Sequence, residues 1–271
     1  MNGVSDLVLA RACAAAGIVP SLVPYTYPSF KEFFQALAEY KLTGGDIVVA
    51  LRLAEVVDSR LTDKLISSGI THIELLDYEP SEINADSINR INQLRDTGIQ
   101  IILKILIHTD IAPYRDIIDA VTIKGSEGAG RSMEGMDIIT EIKAIKLMYP
   151  GVKIISSGGI KSSADVKRHL GAGADAVGIG TLFAMSQESS IPKAVKDKLL
   201  QSTSGDIRRL RSGAQQRAVV FEETNSDDFN NTQGLTTGLR TGTAGHVFVG
   251  NAIDSITEIL TVKQIVDYLT V

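Results

Sequence analysis

The sequence predicts an α/β fold of the (β/α)8 TIM-barrel type that lacks the first strand. Three observations predict it. The chain has 271 residues, a normal length for one such barrel. Short apolar runs recur along it, each followed by a turn and a longer amphipathic stretch, at a spacing of about 25–30 residues that suits βαβ units. The apolar mass is Ile, Val, Leu and Ala with no Trp, the mix that fills parallel strands buried on both faces and the helices over them.

Taken in order, the candidate strands are Val19–Val23, Asp46–Leu51, His72–Asp77, Gln100–Ile107, Ala120–Lys124, Lys153–Ser157 and Ala176–Gly180. An Ala-rich stretch, Leu9–Ala16, precedes them. Between them, Phe30–Tyr40 puts Phe33, Phe34, Leu37 and Tyr40 near one helical face. Ser59–Ser68, Ile83–Thr97, Met136–Met148 and Ser163–Leu170 read as helices in the same way, the fourth halted by Tyr149-Pro150-Gly151. Seven strands are found where a closed barrel needs eight; an open parallel edge favours association into a homo-oligomer. After Ser190 the alternation stops. Gln201–Asn231 is polar, its acidic, amide-rich end Glu222–Asn231 reads as a surface loop or lid, and a helix near Val262–Leu269 closes the chain. The expected organisation is one domain, with 1–189 as barrel core and 190–271 as an extension packed on it.

Composition excludes several classes. A net charge of −5 offers no polyanion-binding surface, so no nucleic-acid partner is expected. The one basic cluster, Arg208, Arg209 and Arg211, reads as a solvated helix face. A single cysteine, Cys13, rules out an internal disulfide and suits buried packing. No His, Asp and Glu spacing reads as a metal site. No apolar run is long enough to span a membrane and no secretory signal is visible, so a cytoplasmic protein is expected.

The strongest local signal is Ile154-Ile155-Ser156-Ser157-Gly158-Gly159-Ile160, followed by Gly173-Ala174-Asp175-Ala176-Val177-Gly178-Ile179-Gly180-Thr181. Two successive strands end in glycine. Missing side chains there let a phosphate approach backbone N–H groups and the positive end of a following helix. In α/β barrels this is the phosphate site after the last two strands. Ser157, Gly158, Gly159, Gly178, Gly180 and Thr181 are therefore candidate cofactor contacts. A dinucleotide fingerprint is a poorer fit. The glycine-rich turn Gly125–Gly130 follows a strand, but its helix starts late and no acidic residue stands at the expected distance.

These segments, with Phe183 and Glu188-Ser189 after them, resemble the flavin-phosphate segments of the nitronate monooxygenase (2-nitropropane dioxygenase) family and of related flavin-dependent enoyl-acyl-carrier-protein reductases. Gly125-Ser126-Glu127-Gly128-Ala129-Gly130-Arg131 resembles the family's Gly-x-Glu-Ala-Gly-Gly-His turn. Met1-Asn2-Gly3-Val4-Ser5-Asp6 resembles the segment after its first strand, and Val249-Gly250-Asn251-Ala252 its closing segment. The resemblance implies FMN as cofactor, a small nitronate-like substrate and an oxidoreductase, with Gly125, Glu127 and Gly130 beside the flavin. NAD(P)H is the donor if the reaction is instead enoyl-thioester reduction.

Three departures bear on chemistry. Arg131 stands where the family has a histidine, and arginine cannot serve as a base near neutral pH, though it can clamp an anion. The strand before the Met-x-Gly segment is absent. Gly250-Asn251 replaces a Gly-Gln pair. Arg131 and His108, which follows the fourth strand, are the candidate catalytic residues. Lys104, mid-strand among isoleucines, is a candidate for stabilising reduced flavin, and Lys124 for a similar role. His246 reads as packed or solvated, His72 and His169 as structural. A non-catalytic flavin- or phosphate-binding scaffold is the alternative from another class. An IMP dehydrogenase-like reading needs a loop cysteine that Cys13 does not supply.

Overall fold

The computed structural model describes residues 3–76, 83–106, 111–132, 135, 137–212, 214–221 and 232–271. Seven strands form one parallel sheet in the order β1 (Ser21–Leu22), β2 (Val48–Arg52), β3 (His72–Leu76), β4 (Gln100–Leu106), β5 (Ala120–Lys124), β7 (Lys153–Ser157) and β8 (Ala176–Gly178). Sequential strands are spatial neighbours throughout, as repeated right-handed crossovers require. The curled sheet with helices outside is the barrel architecture, seven-stranded as the apolar runs indicated. Among the described residues no ladder joins β8 to β1, and these two edges are the shortest strands of the sheet, which limits exposed pairing groups.

The intervening helices are α1 (Leu7–Ala15), α2 (Phe30–Lys41), α3 (Ser59–Ser67), α4 (Ala85–Asp96), α5 (Ile138–Met148) and α6 (Ser163–Gly171). Their starts are set by side-chain caps: Asp6, Ser29, Asp58, Asn84, Asp137 and Ser162 each accept a hydrogen bond from a first-turn amide. Period-two alternation divides each strand between two faces. Ile73, Leu75, Ile101, Leu103, Ile105, Val121, Ile123 and Ile154 face the helices and pack on Phe33, Leu37, Leu65, Ile91, Leu94 and Ile142. The residues between them, including Glu74, Lys104, Thr122, Lys124 and Ser157, line the opposite, concave face.

The C-terminal part departs from expectation. Within the polar stretch Gln201–Asn231, whose sequence shows no strand pattern, β9 (Ile207–Ser212) and β10 (Ala214–Val220) form an antiparallel hairpin. β10 also pairs with β6 (Gly130–Arg131) and with β11 (His246–Val247). The hairpin lacked an apolar alternation because it is held by these ladders and by a buried arginine, Arg217, rather than by an apolar face. The basic cluster is likewise corrected: Arg208, Arg209 and Arg211 lie on strand β9, not on a helix, with Arg208 and Arg209 exposed. The acidic run Glu222–Asn231 lies outside the described residues.

A second apolar cluster holds the tail down. α7 (Thr181–Ala184), α8 (Lys193–Leu199), α9 (Thr232–Thr241) and α10 (Val262–Thr270) follow β8. Leu182, Phe183, Val195, Leu199, Val219, Val247, Val249, Val262, Ile265 and Leu269 pack there with Leu9 and Cys13 of α1. Cys13 is buried, as read. Glu188 accepts hydrogen bonds from the Val262 amide at 2.9 and 3.1 Å and so anchors the start of α10. Among the described residues no helix is long and apolar enough to cross a membrane.

Candidate functional site

The C-terminal ends of three neighbouring strands lie side by side, with Lys124 in register with Ser157 and Ser157 with Gly178. At about 4.8 Å between strands, this row spans about 10 Å. Beyond Ser157 the backbone turns through Gly158 and Gly159, with φ of 104° and 75°, a region that L side chains rarely adopt. A Cβ on Gly159 would overlap the Glu127 carboxylate. Among the described residues, the amides of Gly158, Gly159, Ile160 and Gly180 donate to no protein acceptor. This is a cradle of free N–H groups ahead of α6, the arrangement a phosphate group fits.

The cradle is tied to the glycine-rich turn. The Gly125 amide donates to the Ser157 carbonyl at 2.8 Å. Gly250 lies against the same turn so closely that a Cβ there would sit 2.5 Å from the Glu127 carbonyl. The Gly250 amide donates to the Thr181 hydroxyl at 3.0 Å, and the Asn251 amide to the Glu127 carbonyl at 3.0 Å. The buried guanidinium of Arg217 donates to the Ser126 carbonyl and to the Asn251 side-chain oxygen. Burial pushes its pKa down, with the nearby charge of Arg209 adding and Glu127 opposing.

Beside the cradle, the concave face carries a polar network. Lys104 Nζ donates to Glu74 at 2.9 Å, and the Thr122 hydroxyl donates to the other Glu74 oxygen at 2.8 Å. The Lys104 and Glu74 side chains are 21% and 12% exposed, so most of the pair is out of water. Burial works to raise the Glu74 pKa. The Lys104 charge and the two donated hydrogen bonds outweigh it, and the net direction is down. Glu74 is thus an ionised carboxylate at neutral pH. Lys124 differs. Its amine nitrogen donates to the Ala129 carbonyl, and burial first, then the Lys104 charge, opposed by Glu74 and aided by the weaker effect of Arg131, push its pKa down to about 7.

Of the residues singled out from sequence, Ser157, Gly158, Gly159, Gly178 and Gly180 come together at one strand-end row, with Gly125, Glu127 and Gly130 on the turn over it. The Thr181 hydroxyl is engaged with the tail. Lys104 lines the same face, paired with Glu74. Arg131 is exposed on β6, within electrostatic reach of Lys124. His108 lies outside the described residues. His246 is buried, with its ring 5.0 Å from that of Phe248 and its pKa lowered by burial. His169 is buried on α6, 2.7 Å from the Ser156 hydroxyl behind the cradle. Sequence reasoning missed Glu74, Thr122 and Arg217. A carboxylate and an amine mid-strand on successive apolar strands was the signal for the first. A cavity of about 350 Å³ lined by Asn92, Arg95 and Asp119 opens at the opposite end of the sheet, where barrel residues serve stability rather than chemistry. Among the described residues no cluster of His, Cys, Asp and Glu could hold a metal.

Residues 86–271 match the model of the nitronate monooxygenase family, more than two thirds of the chain. The chain belongs to the nitronate monooxygenase family. A probable nitronate monooxygenase of Bacillus subtilis is 27% identical over 179 residues, covering 56% of this chain and 51% of that protein. A hydroxy-methyl-oxo-octahydroindene-carboxyl-CoA dehydrogenase of Rhodococcus jostii is 29% identical over 125 residues, 45% of this chain and 35% of that one. The chain therefore spans about half, or less, of the length of these curated relatives. FabK from Thermotoga maritima shares the fold with a TM-score of 0.82 at 21% identity, over 99% of this chain and 89% of that one. Nitronate monooxygenases are FMN-dependent oxidoreductases, and the glycine cradle of this member fits the phosphate of that cofactor.

Proposed function

We propose that this nitronate monooxygenase family member is an FMN-dependent oxidoreductase that oxidises a small nitronate-like anion at the C-terminal end of its parallel sheet. The observation that carries this reading is the glycine cradle opening beside a concave face that carries Lys104 and Lys124, with Arg131 on its rim. Backbone amides of Gly158, Gly159, Ile160 and Gly180 would hold the phosphate, with Glu127 and Gly130 on the turn above. FMN, when bound, supplies the electron-transfer chemistry that no amino-acid side chain can.

The protein's own residues then bind and orient. Lys104 is held in place by Glu74, whose other carboxylate oxygen accepts from Thr122. Arg131, on the rim, attracts a negative substrate and can bind two of its oxygens at once. A nitronate arrives with its carbon already deprotonated, so an arginine at position 131 suits it and no histidine base is required. The tie of Arg217 and Asn251 to Ser126 and Glu127 keeps the glycine-rich turn at a fixed height over the strand ends.

The test is direct. The purified protein should show flavin bands near about 370 and 450 nm, release FMN on denaturation, and consume oxygen and form nitrite with a primary nitronate. A protein that neither carries nor takes up FMN would refute the reading and leave a phosphate-binding scaffold. The CoA-thioester dehydrogenase among its relatives supports a second reading, reduction of an enoyl thioester. NAD(P)H-dependent loss of flavin colour, reversed by an enoyl-CoA with no nitrite formed, would decide for that one.

A further inference from the structure

The side chain of Lys124 projects from the last residue of β5 into the site with glycine on two sides. A Cβ on Gly130 would lie 3.7 Å from its Nζ, and one on Gly128 would lie 3.1 Å from its Cε. Both positions lack a side chain, so backbone flanks the amine there, with the Phe248 ring and the Gly125 carbonyl packed against the same glycines. Its hydrogen-bond partner is a neutral carbonyl, Ala129, whereas Lys104, two positions out of register on the neighbouring strand, has taken the Glu74 carboxylate. The charged groups around it are Lys104 on β4, Glu74 on β3 and Arg131 on β6. Two of these three are cations, and cations beside a half-buried amine favour its neutral form.

We propose that Lys124 is a carbonyl-capturing amine that forms an imine with small aldehydes or ketones entering at the strand ends, a second chemistry of this site. The lone pair of the neutral amine attacks the carbonyl carbon, and the carbonyl oxygen takes up a proton. That oxygen then leaves as water with the amine's two protons accounted for, and a C=N bond remains. No electron is gained or lost, and no co-reactant is required. One hydrogen of the neutral amine can stay on the Ala129 carbonyl during attack, which holds the lone pair in one direction. Arg131 and Lys104 favour a carbonyl compound that also carries a negative group. On the oxidoreductase reading, oxidation of a nitronate by molecular oxygen releases nitrite and leaves an aldehyde or ketone in the same site, but capture itself needs no flavin.

The protein is incubated at pH 7 with glycolaldehyde and sodium cyanoborohydride, digested, and the alkylation of each lysine is quantified by mass spectrometry. Lys31 and Lys143, both exposed, serve as internal references. Lys124 should be alkylated at least about tenfold faster than either, because a far larger fraction of it is unprotonated. The advantage should shrink toward pH 10, and Lys124→Met should abolish the fast adduct. Alkylation of Lys124 no faster than of Lys31 and Lys143 overturns the proposal. If Lys124→Met does not fold, the comparison within the native protein decides alone. The flavin content of each sample is recorded by its spectrum, so a flavin-bearing protein without selective trapping refutes capture and leaves the oxidoreductase reading standing.

Discussion

Replacing Lys124 with methionine should stabilise the protein at neutral pH and remove a pH dependence that the native chain carries. The ordinary lysine value is 10.5 and the folded value about 7. Between these, the unfolded chain binds a proton at this position that the folded chain does not, so native stability rises with pH across the window. Below the folded value the full cost of charging the amine in its site is present; above 10.5 it has gone. The integrated cost at pH 7 is about 4 kcal/mol, falling to about 1 kcal/mol at pH 9.5. The native protein should therefore gain about 2–3 kcal/mol over that interval relative to the variant. Methionine matches the lysine stem in length and loses only the hydrogen bond to Ala129, worth about 1 kcal/mol. Urea unfolding of both proteins at pH 7 and pH 9.5 gives the difference. Parallel pH dependences, or a variant less stable than the native protein at pH 7, would show that Lys124 is charged in the folded state and that its surroundings do not favour the neutral amine.

Other perturbations follow from the same geometry. Gly159→Ala puts a side chain at a φ of 75° and against the Glu127 carboxylate; it should cost about 1–2 kcal/mol in thermal unfolding and abolish FMN retention, whereas normal flavin content would move the phosphate elsewhere. Glu74→Gln leaves the Lys104 ammonium without its countercharge in a mostly buried position and should cost about 2–3 kcal/mol by denaturant unfolding. Because the Glu74 pKa is lowered on folding, the native contribution is present above the ordinary carboxylate value and lost as pH falls through the folded one. The variant should therefore show a flatter acid limb. Arg217→Met removes the donors to Ser126 and Asn251 and should weaken FMN binding by at least tenfold with the parallel sheet intact by far-UV circular dichroism; unchanged affinity would make the tie purely structural.

The parallel sheet was legible because its strands obey local rules. Ala120–Lys124 and Lys153–Ser157 are dense in Ile and Val and bounded by turn signals, and the structure begins and ends both where those signals stand. The cradle was legible for a similar reason: glycine at two successive strand ends has little other explanation. The hairpin at Ile207–Val220 was not, because its strands read Ile-Arg-Arg-Leu-Arg-Ser and Ala-Gln-Gln-Arg-Ala-Val-Val without period-two polarity. Its stability comes from ladders to residues far away in sequence, Gly130–Arg131 and His246–Val247, and no local pattern encodes a long-range partner. The Glu74–Lys104–Thr122 network was half visible. A lone lysine among isoleucines is ambiguous until a strand neighbour supplies the carboxylate, and register, not spacing, decides that.

The departure at position 131 gains its meaning from the tail. β6 is only two residues long, and what keeps Arg131 on the rim is its pairing with Gln216 of β10. The same strand, one residue on, buries Arg217 and through it grips Ser126 and Asn251. A hairpin whose sequence reads only as a polar stretch thus sets the height of the glycine-rich turn at both ends, and Gly250 allows the closest approach because any side chain there would meet the Glu127 carbonyl. Deleting residues 207–220 should therefore do more than expose apolar surface. The turn that carries Glu127, Gly130 and Arg131 would lose its ladder and its guanidinium clamp together, while the seven-stranded sheet keeps every ladder of its own. The expected result is a chain that retains parallel-sheet structure by circular dichroism but neither holds FMN nor traps glycolaldehyde selectively at Lys124. Retention of both by the deleted chain would mean that the strand ends alone organise the site.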